Sequence, residues 1–148
     1  MGLRRMLRAG FNRLSIGVQS DDNEILKKIG RPHTFEQARQ AMDKARKAGF
    51  ANISLDLMYG LPGQTLESWK QTVERIIRMR PEHISCYGLK VEPNTPLWTY
   101  QDTANLPGDD QQADMYLAAC ELLKTHGYEH YEICLLYTSP SPRDRQKS

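Results

Sequence analysis

Three stretches of alternating apolar and polar residues, with helical apolar stripes between them, predict an α/β protein built on a parallel sheet. A glycine- and proline-rich turn after the second stretch supports that class. Parallel neighbours must be joined by a long crossover, and a helix packed outside the sheet is its usual form. A barrel and an open sheet both satisfy the pattern.

In RLSIGVQ, residues 13–19, Leu14, Ile16 and Val18 alternate with Arg13, Ser15 and Gly17, which predicts the first strand. Asp21 and Glu24 have capping-box spacing, so a short helix follows. Thr34 and Gln37 repeat that signal before Phe35, Ala38, Met42 and Ala45, which share one helical face, and Gly49 stands where a C-terminal cap belongs. Ile53, Leu55 and Leu57 alternate through the second strand. Gly60, Pro62 and Gly63 then turn the chain into a helix whose stripe is Leu66, Trp69, Val73, Ile76 and Ile77. Pro81 stops that helix before a third strand, HISCYGL, from His83 to Leu89. After the proline-rich VEPNTPLW, Asp109 is expected to cap a further helix with Ala113, Tyr116, Leu117, Cys120 and Leu123 on its inner face. Gly127 ends it and YEHYEI begins another strand.

From Cys134 onward the chain carries two Ser-Pro pairs, scattered charges and no apolar period. The expectation is that residues 134–148 are a disordered tail, resembling translated adapter or cloning sequence, whose removal leaves stability unchanged.

With 39% hydrophobic and 26% charged residues the composition is that of a soluble globular protein, and no apolar run approaches the ~20 residues of a membrane helix. The net charge of +2 is too small to imply a nucleic-acid partner, and Arg4, Arg5, Arg8 and Arg13 read as a solvated basic face. The three cysteines, Cys86, Cys120 and Cys134, are odd in number and widely spaced, which points to reduced thiols and a cytoplasmic protein. Cys86 and Cys120 fall on apolar positions and read as small buried hydrophobes.

Ligands of parallel α/β proteins sit at the carboxyl ends of the strands, so polar residues there are the first site candidates. Asp56 interrupts the second strand between Leu55 and Leu57, where a buried, unpaired carboxylate would be costly. A surface position is the alternative, yet parallel strands are usually covered on both faces, and function is preferred. Gln19 closes the first strand, either for a ligand or to cap the next helix. Arg31, on the rigid Gly30-Arg31-Pro32-His33 connection, could fork onto a carboxylate or phosphate. From the residues alone an exposed loop arginine is preferred, and His33 fits a hydrogen bond between helices at least as well as catalysis. The turn from Gly60 to Thr65 could offer amides to an anion, but it lacks the P-loop lysine and reads as structural.

In combination and in order, RLSIGVQS, GRPH, the ARKAGF helix end, ISLDLMYGLPGQT and YGLKVEPNTPL resemble the oxygen-independent coproporphyrinogen III oxidase and HemW haem-chaperone family of radical S-adenosylmethionine proteins. The resemblance covers roughly residues 3 to 133. It implies part of a parallel (β/α) radical SAM barrel, truncated at the N-terminus, with the start of a C-terminal subdomain. The implied division is 1–92 for barrel, 93–133 for linker, helix and subdomain start, and 134–148 for the tail.

By the same resemblance, Gln19, Arg31 and Asp56 match positions that contact S-adenosylmethionine. The family's four-iron four-sulfur cluster, held by a C-x-x-x-C-x-x-C loop, cleaves that cofactor to a 5′-deoxyadenosyl radical. Cys86, Cys120 and Cys134 match neither the spacing nor the place of that loop, so no residue of this chain is assigned to a metal. Two departures stand out. Asp21 replaces a common aromatic residue, and Lys90 lies where the oxidase branch has a small one.

Three functions follow as alternatives. The wording GLPGQTLESW and VEPNTPL favours a HemW-type chaperone that binds haem and passes it to haem-accepting proteins. The second is the oxidase, which decarboxylates two propionates of coproporphyrinogen III. The third, a generic phosphate-binding α/β domain, uses only the glycine turn. The four histidines His33, His83, His126 and His130 are too dispersed to nominate a haem ligand pair.

Overall fold

A computed structural model describes residues 2–8, 10, 12–91, 106–128 and 131–138. The elements, in chain order, are α1 (Leu3–Arg8), β1 (Arg13–Gln19), α2 (Asn23–Lys28), α3 (Phe35–Ala48), β2 (Asn52–Tyr59), α4 (Leu66–Arg78), β3 (His83–Val91), α5 (Asp109–Thr125) and β4 (Tyr131–Thr138). The four strands form one parallel sheet in the order β1-β2-β3-β4.

Strand alternation gives the sheet two different faces. One carries Val18, Ile53, Leu55, Leu57, Tyr59, Ile84 and Cys86, and all three long helices pack on it. Phe35, Ala38, Met42 and Ala45 come from α3, Trp69, Val73 and Ile76 from α4, and Met115, Ala119 and Leu123 from α5. Long crossover helices confined to one face are the arrangement of a barrel segment, since a doubly wound sheet carries them on both. Trp69 anchors this layer: it is fully buried, its Nε1 donates to the Met115 carbonyl at 2.9 Å, and its ring lies 5.5 Å from that of Tyr59.

The helix ends follow local chemistry. Thr34 and Gln37 close a reciprocal capping box on α3, Gly49 ends that helix in the left-handed region at φ 107°, and Thr65 with Ser68 caps α4. Two expected caps are corrected. Asp22, not Asp21, caps α2, accepting from the amides of Glu24 and Ile25, because Asp21 is turned toward α4. Gly108, without a side-chain bond, precedes α5, and Asp109 is its first helical residue.

The buried face of α5 is also corrected. Met115, Ala118, Ala119 and Leu123 face the core, whereas Tyr116 and Leu117 are 41% and 61% exposed. The helix is apolar around most of its circumference, so periodicity does not choose a side. Tertiary contacts, including the Trp69 bond to Met115, choose it.

The chain after Ile133 differs from expectation too. β4 runs on through Thr138, and Cys134 to Thr138 continue the parallel ladder opposite Tyr87 to Val91. An edge strand needs only one partner, and Cys134, Leu135, Leu136 and Tyr137 are apolar or strand-favouring residues able to extend it. Residues 139–148 lie outside the described part.

Candidate functional site

The sheet face turned away from the long helices is polar along its middle. Ser15 and Gly17 of β1, Ser54 and Asp56 of β2, and His83 and Ser85 of β3 share its parity, as the pairs Ser15–Ser54, Ser54–His83, Gly17–Asp56 and Asp56–Ser85 show. Ser54 and Ser85 are only 2% and 4% exposed, although both are hydroxyl residues. His83 accounts for them: its Nδ1 lies 3.0 Å from the Ser54 hydroxyl and 3.4 Å from that of Ser85. Sequence reasoning missed this cluster. The spacing shared by Ser54-x-Asp56 and His83-x-Ser85, both interrupting apolar alternation, carries its signal.

Asp56 is half-buried in the centre of this row, between Gly17 and Ser85. Its charge also reaches Cys86 through the sheet. Burial first, then Cys120 and Asp56, push the Cys86 thiol up to about 12. A thiol so held is neutral and unreactive at ordinary pH.

Gln19 is turned back over Gly17, the register partner of Asp56, at a bulge. The β1–β2 register shifts between Gly17 and Gln19, so Val18 is the extra residue, and Gln19 takes a left-handed backbone at φ 69°. Such a conformation costs a residue with a side chain ~1–2 kcal/mol and recurs at sites where a group must be aimed. The Gln19 amide folds back until its Nε2 lies 3.1 Å from where a Cβ on Gly17 would stand. Gly17 is the register partner of Asp56. The missing side chain at Gly17 therefore lets the Gln19 amide approach the carboxylate's strand.

Arg31 is placed by α2. Ile25 is buried against Met58, Leu61 and Leu89, with Ile29 and Tyr87 alongside, and Met58 and Tyr87 share the parity of Asp56 and Ser85. Helix α2 thus lies on the polar side of the sheet, over the strand ends. The Arg31 amide donates to the Leu26 carbonyl at 2.9 Å, while its side chain is exposed and makes no ion pair among the described residues. Gln19 folds over Gly17, the register partner of Asp56, and Arg31 follows α2 on the same side of the sheet, with no ion pair to Asp56 among the described residues.

His33 makes a structural bond, from Nε2 to the Val18 carbonyl at 3.0 Å. The turn after β2 is structural as well. Gln64 closes it internally, accepting from the Leu61 amide at 3.2 Å and donating to the Met58 carbonyl at 3.4 Å. Gly60, at φ 78°, leaves room for Gln112 and the Leu89 carbonyl, each 3.0 Å from the position of an added Cβ.

A guanidinium, a carboxamide and a carboxylate form a donor set suited to an amino acid carboxylate, an ammonium and a hydroxyl pair. S-adenosylmethionine offers those groups. The residues do not suit an iron–sulfur cluster: Cys86 is buried, and no group of His, Cys, Asp or Glu among the described residues could hold a metal ion. The Lys90 side chain, His130 and the connection 92–105 lie outside the described residues. No described helix is long and apolar enough to cross a membrane.

Comparison with known proteins agrees with this architecture. Residues 2–76 match the radical SAM superfamily. The chain is 43% identical over 127 residues to a heme chaperone HemW of Lactococcus lactis subsp. lactis (strain IL1403), covering 84% of this chain and 34% of that protein. It is 41% identical over 133 residues to the heme chaperone HemW of Bacillus subtilis (strain 168), covering 88% and 35%. Among solved structures, coproporphyrinogen III oxidase (HemN) from Escherichia coli, described as a radical SAM enzyme, superposes with a TM-score of 0.71 at 32% identity, over 87% of this chain and 31% of that one. An archaeal Elp3 from Methanocaldococcus infernus superposes equally well, with a TM-score of 0.71, at 23% identity, over 96% of this chain and 33% of that one, a likeness of fold alone. The chain spans about a third of the length of the curated relatives it matches.

Proposed function

Because the chain belongs to the radical SAM superfamily, we propose that it forms the S-adenosylmethionine-binding part of a HemW-type haem chaperone. The observation that carries the chaperone reading is the likeness to two bacterial haem chaperones, closer in sequence than that to the oxidase. Such a protein binds haem and hands it to haem-accepting proteins in the cytoplasm.

Gln19, Arg31 and Asp56 are the proposed ligand groups. Arg31 forks onto the methionyl carboxylate, while Gln19 and Asp56 hydrogen-bond the amino acid or ribose part. Their support is the polar sheet face, the bulge that folds the Gln19 amide toward the Asp56 strand, and the position of α2. Beside a reduced cluster, S-adenosylmethionine supplies one-electron chemistry. This chain's residues contribute binding and orientation only.

The second reading is the coproporphyrinogen III oxidase, favoured by the superposition on that enzyme. The test is an anaerobic comparison of this chain with a longer protein that joins it to a cluster-binding loop, both supplied with iron and sulfide. Haem titration and porphyrinogen conversion are then measured. Tight haem binding with little conversion by the longer protein supports the chaperone, and robust conversion replaces it with the oxidase. Cluster-dependent cleavage of S-adenosylmethionine by this chain alone would refute the binding-only role.

A further inference from the structure

The bulge that aims Gln19 and the connection that carries Arg31 are joined by one side chain. Val18, the extra residue of the bulge, has a carbonyl that accepts twice, from the Ser20 amide at 2.8 Å and from His33 Nε2 at 3.0 Å. Gln19 directly follows Val18, and His33 stands two positions after Arg31, across Pro32. We infer that His33 is a positioning residue that sets the spacing between Gln19 and Arg31 by fastening the Arg31 connection to the Val18 carbonyl. This inference rests on the proposed S-adenosylmethionine site and deepens it.

The connection needs such a fastening. Its start is held by the Arg31 amide on Leu26, and its end by the Thr34 cap of α3. Between those points Gly30 has a left-handed φ of 76°, and Pro32 fixes its own φ but lacks an amide donor, so among the described residues no backbone hydrogen bond fastens this locally stiff stretch to β1. The His33 imidazole gives the one side-chain bond from this stretch to β1 among the described residues. It acts on Gln19 as well. Two donors on the Val18 carbonyl hold the peptide plane that precedes the costly left-handed Gln19, and removing one leaves that plane freer to rotate.

His33 therefore touches neither proposed ligand group and works by geometry. Nε2 donates both in the neutral Nε2–H tautomer and in the imidazolium, so protonation at Nδ1 preserves the bond. A glutamine at this position carries an amide nitrogen at a similar reach. An asparagine is too short to place its nitrogen there.

The test uses the full 148-residue chain and S-adenosylmethionine, titrated by NMR. His33→Ala should weaken binding by about tenfold, the loss expected when one positioning hydrogen bond goes. His33→Gln should restore it to within about threefold, and His33→Asn should not. Two structural readouts accompany the titration. The His33 nitrogen shifts should report an Nε2–H donor, and amide exchange at Gln19 and Ser20 should quicken in the alanine variant but not in the glutamine variant.

Equal affinity for the alanine and wild-type chains, with Arg31→Ala and Asp56→Ala both impaired, would overturn the role of His33 and leave the site standing. Wild-type affinity in Arg31→Ala and Asp56→Ala would overturn the site and the inference together. Where the alanine variant does not fold, the comparison of glutamine with asparagine decides, and equal binding by those two overturns the inference.

Discussion

The Thr72 hydroxyl of α4 donates to the Asp21 carboxylate across 2.6 Å, tying the loop that follows Gln19 to the outer helical layer. Arg75, one turn further along α4, pairs with the other carboxylate oxygen at 3.3 Å. Asp21 thus clamps the loop after Gln19 to α4.

Replacing Asp21 with alanine should cost about 1–2 kcal/mol, most of it from the hydrogen bond of a mostly buried carboxylate. Arg75 is 55% exposed, so its ion pair adds little. With the carboxylate gone, the single Thr72 hydroxyl proton can turn to the Ser68 carbonyl at 2.9 Å, which limits the loss. Urea denaturation of Asp21→Ala and Asp21→Asn checks this, with the asparagine variant expected to lose less. Equal losses would deny the Thr72 bond its part.

Gly60→Ala should be far worse than an ordinary loop substitution. The residue sits at φ 78°, where a side chain costs ~1–2 kcal/mol, and its Cβ would meet the backbone carbonyl of Leu89 at 3.0 Å. A carbonyl in a strand cannot swing aside. A fall of about 2 kcal/mol or more is expected from the denaturation midpoint, and a loss below half of that would show that the turn relaxes freely.

Cys86 makes stability depend on alkaline pH. Burial, with Cys120 and Asp56, raises its thiol from 9.0 to about 12 in the folded protein, so above pH 9 the unfolded chain releases a proton that the folded chain keeps. The stabilisation is complete below pH 9 and is lost as pH climbs toward 12, at no more than ~1.4 kcal/mol per pH unit. The stability gap between the wild-type chain and Cys86→Ala should therefore narrow from pH 8 to pH 10.5. A constant gap across that range would contradict the buried thiol.

Deleting residues 134–148 should lower thermal stability, the reverse of what the tail's composition suggests. Cys134 to Thr138 pair with Tyr87 to Val91, and their removal leaves that half of β3 as an open edge. Calorimetry of the shortened chain decides the matter: an unchanged melting temperature would mean that this part of β4 contributes nothing.

Much of this architecture is legible in local patterns because short-range physics sets it. The Phe35, Ala38, Met42 and Ala45 stripe is the buried face of α3, and the Thr34–Gln37 signal is its cap. What was illegible depended on distant partners. Asp21 and Asp22 are equivalent as caps until Thr72 and Arg75 claim the first. Helix α5 offers apolar residues on several sides, and the core selects Met115 over Tyr116. The site shows the same division. Asp56 announced itself by breaking an apolar alternation, whereas the pairing of His83 with Ser54 required the β2–β3 register.

The strand order follows the order of synthesis. With β1, β2, β3 and β4 adjacent in sequence and in space, each strand leaving the ribosome meets its partner at the open edge of what has already formed. None has to be threaded between two earlier ones. Loop closure then spans only one crossover at a time, which keeps the entropic barrier of each addition low for a parallel sheet. The sheet can grow by accretion from its amino-terminal side, with α3 and then α4 sealing each strand pair before the next strand arrives.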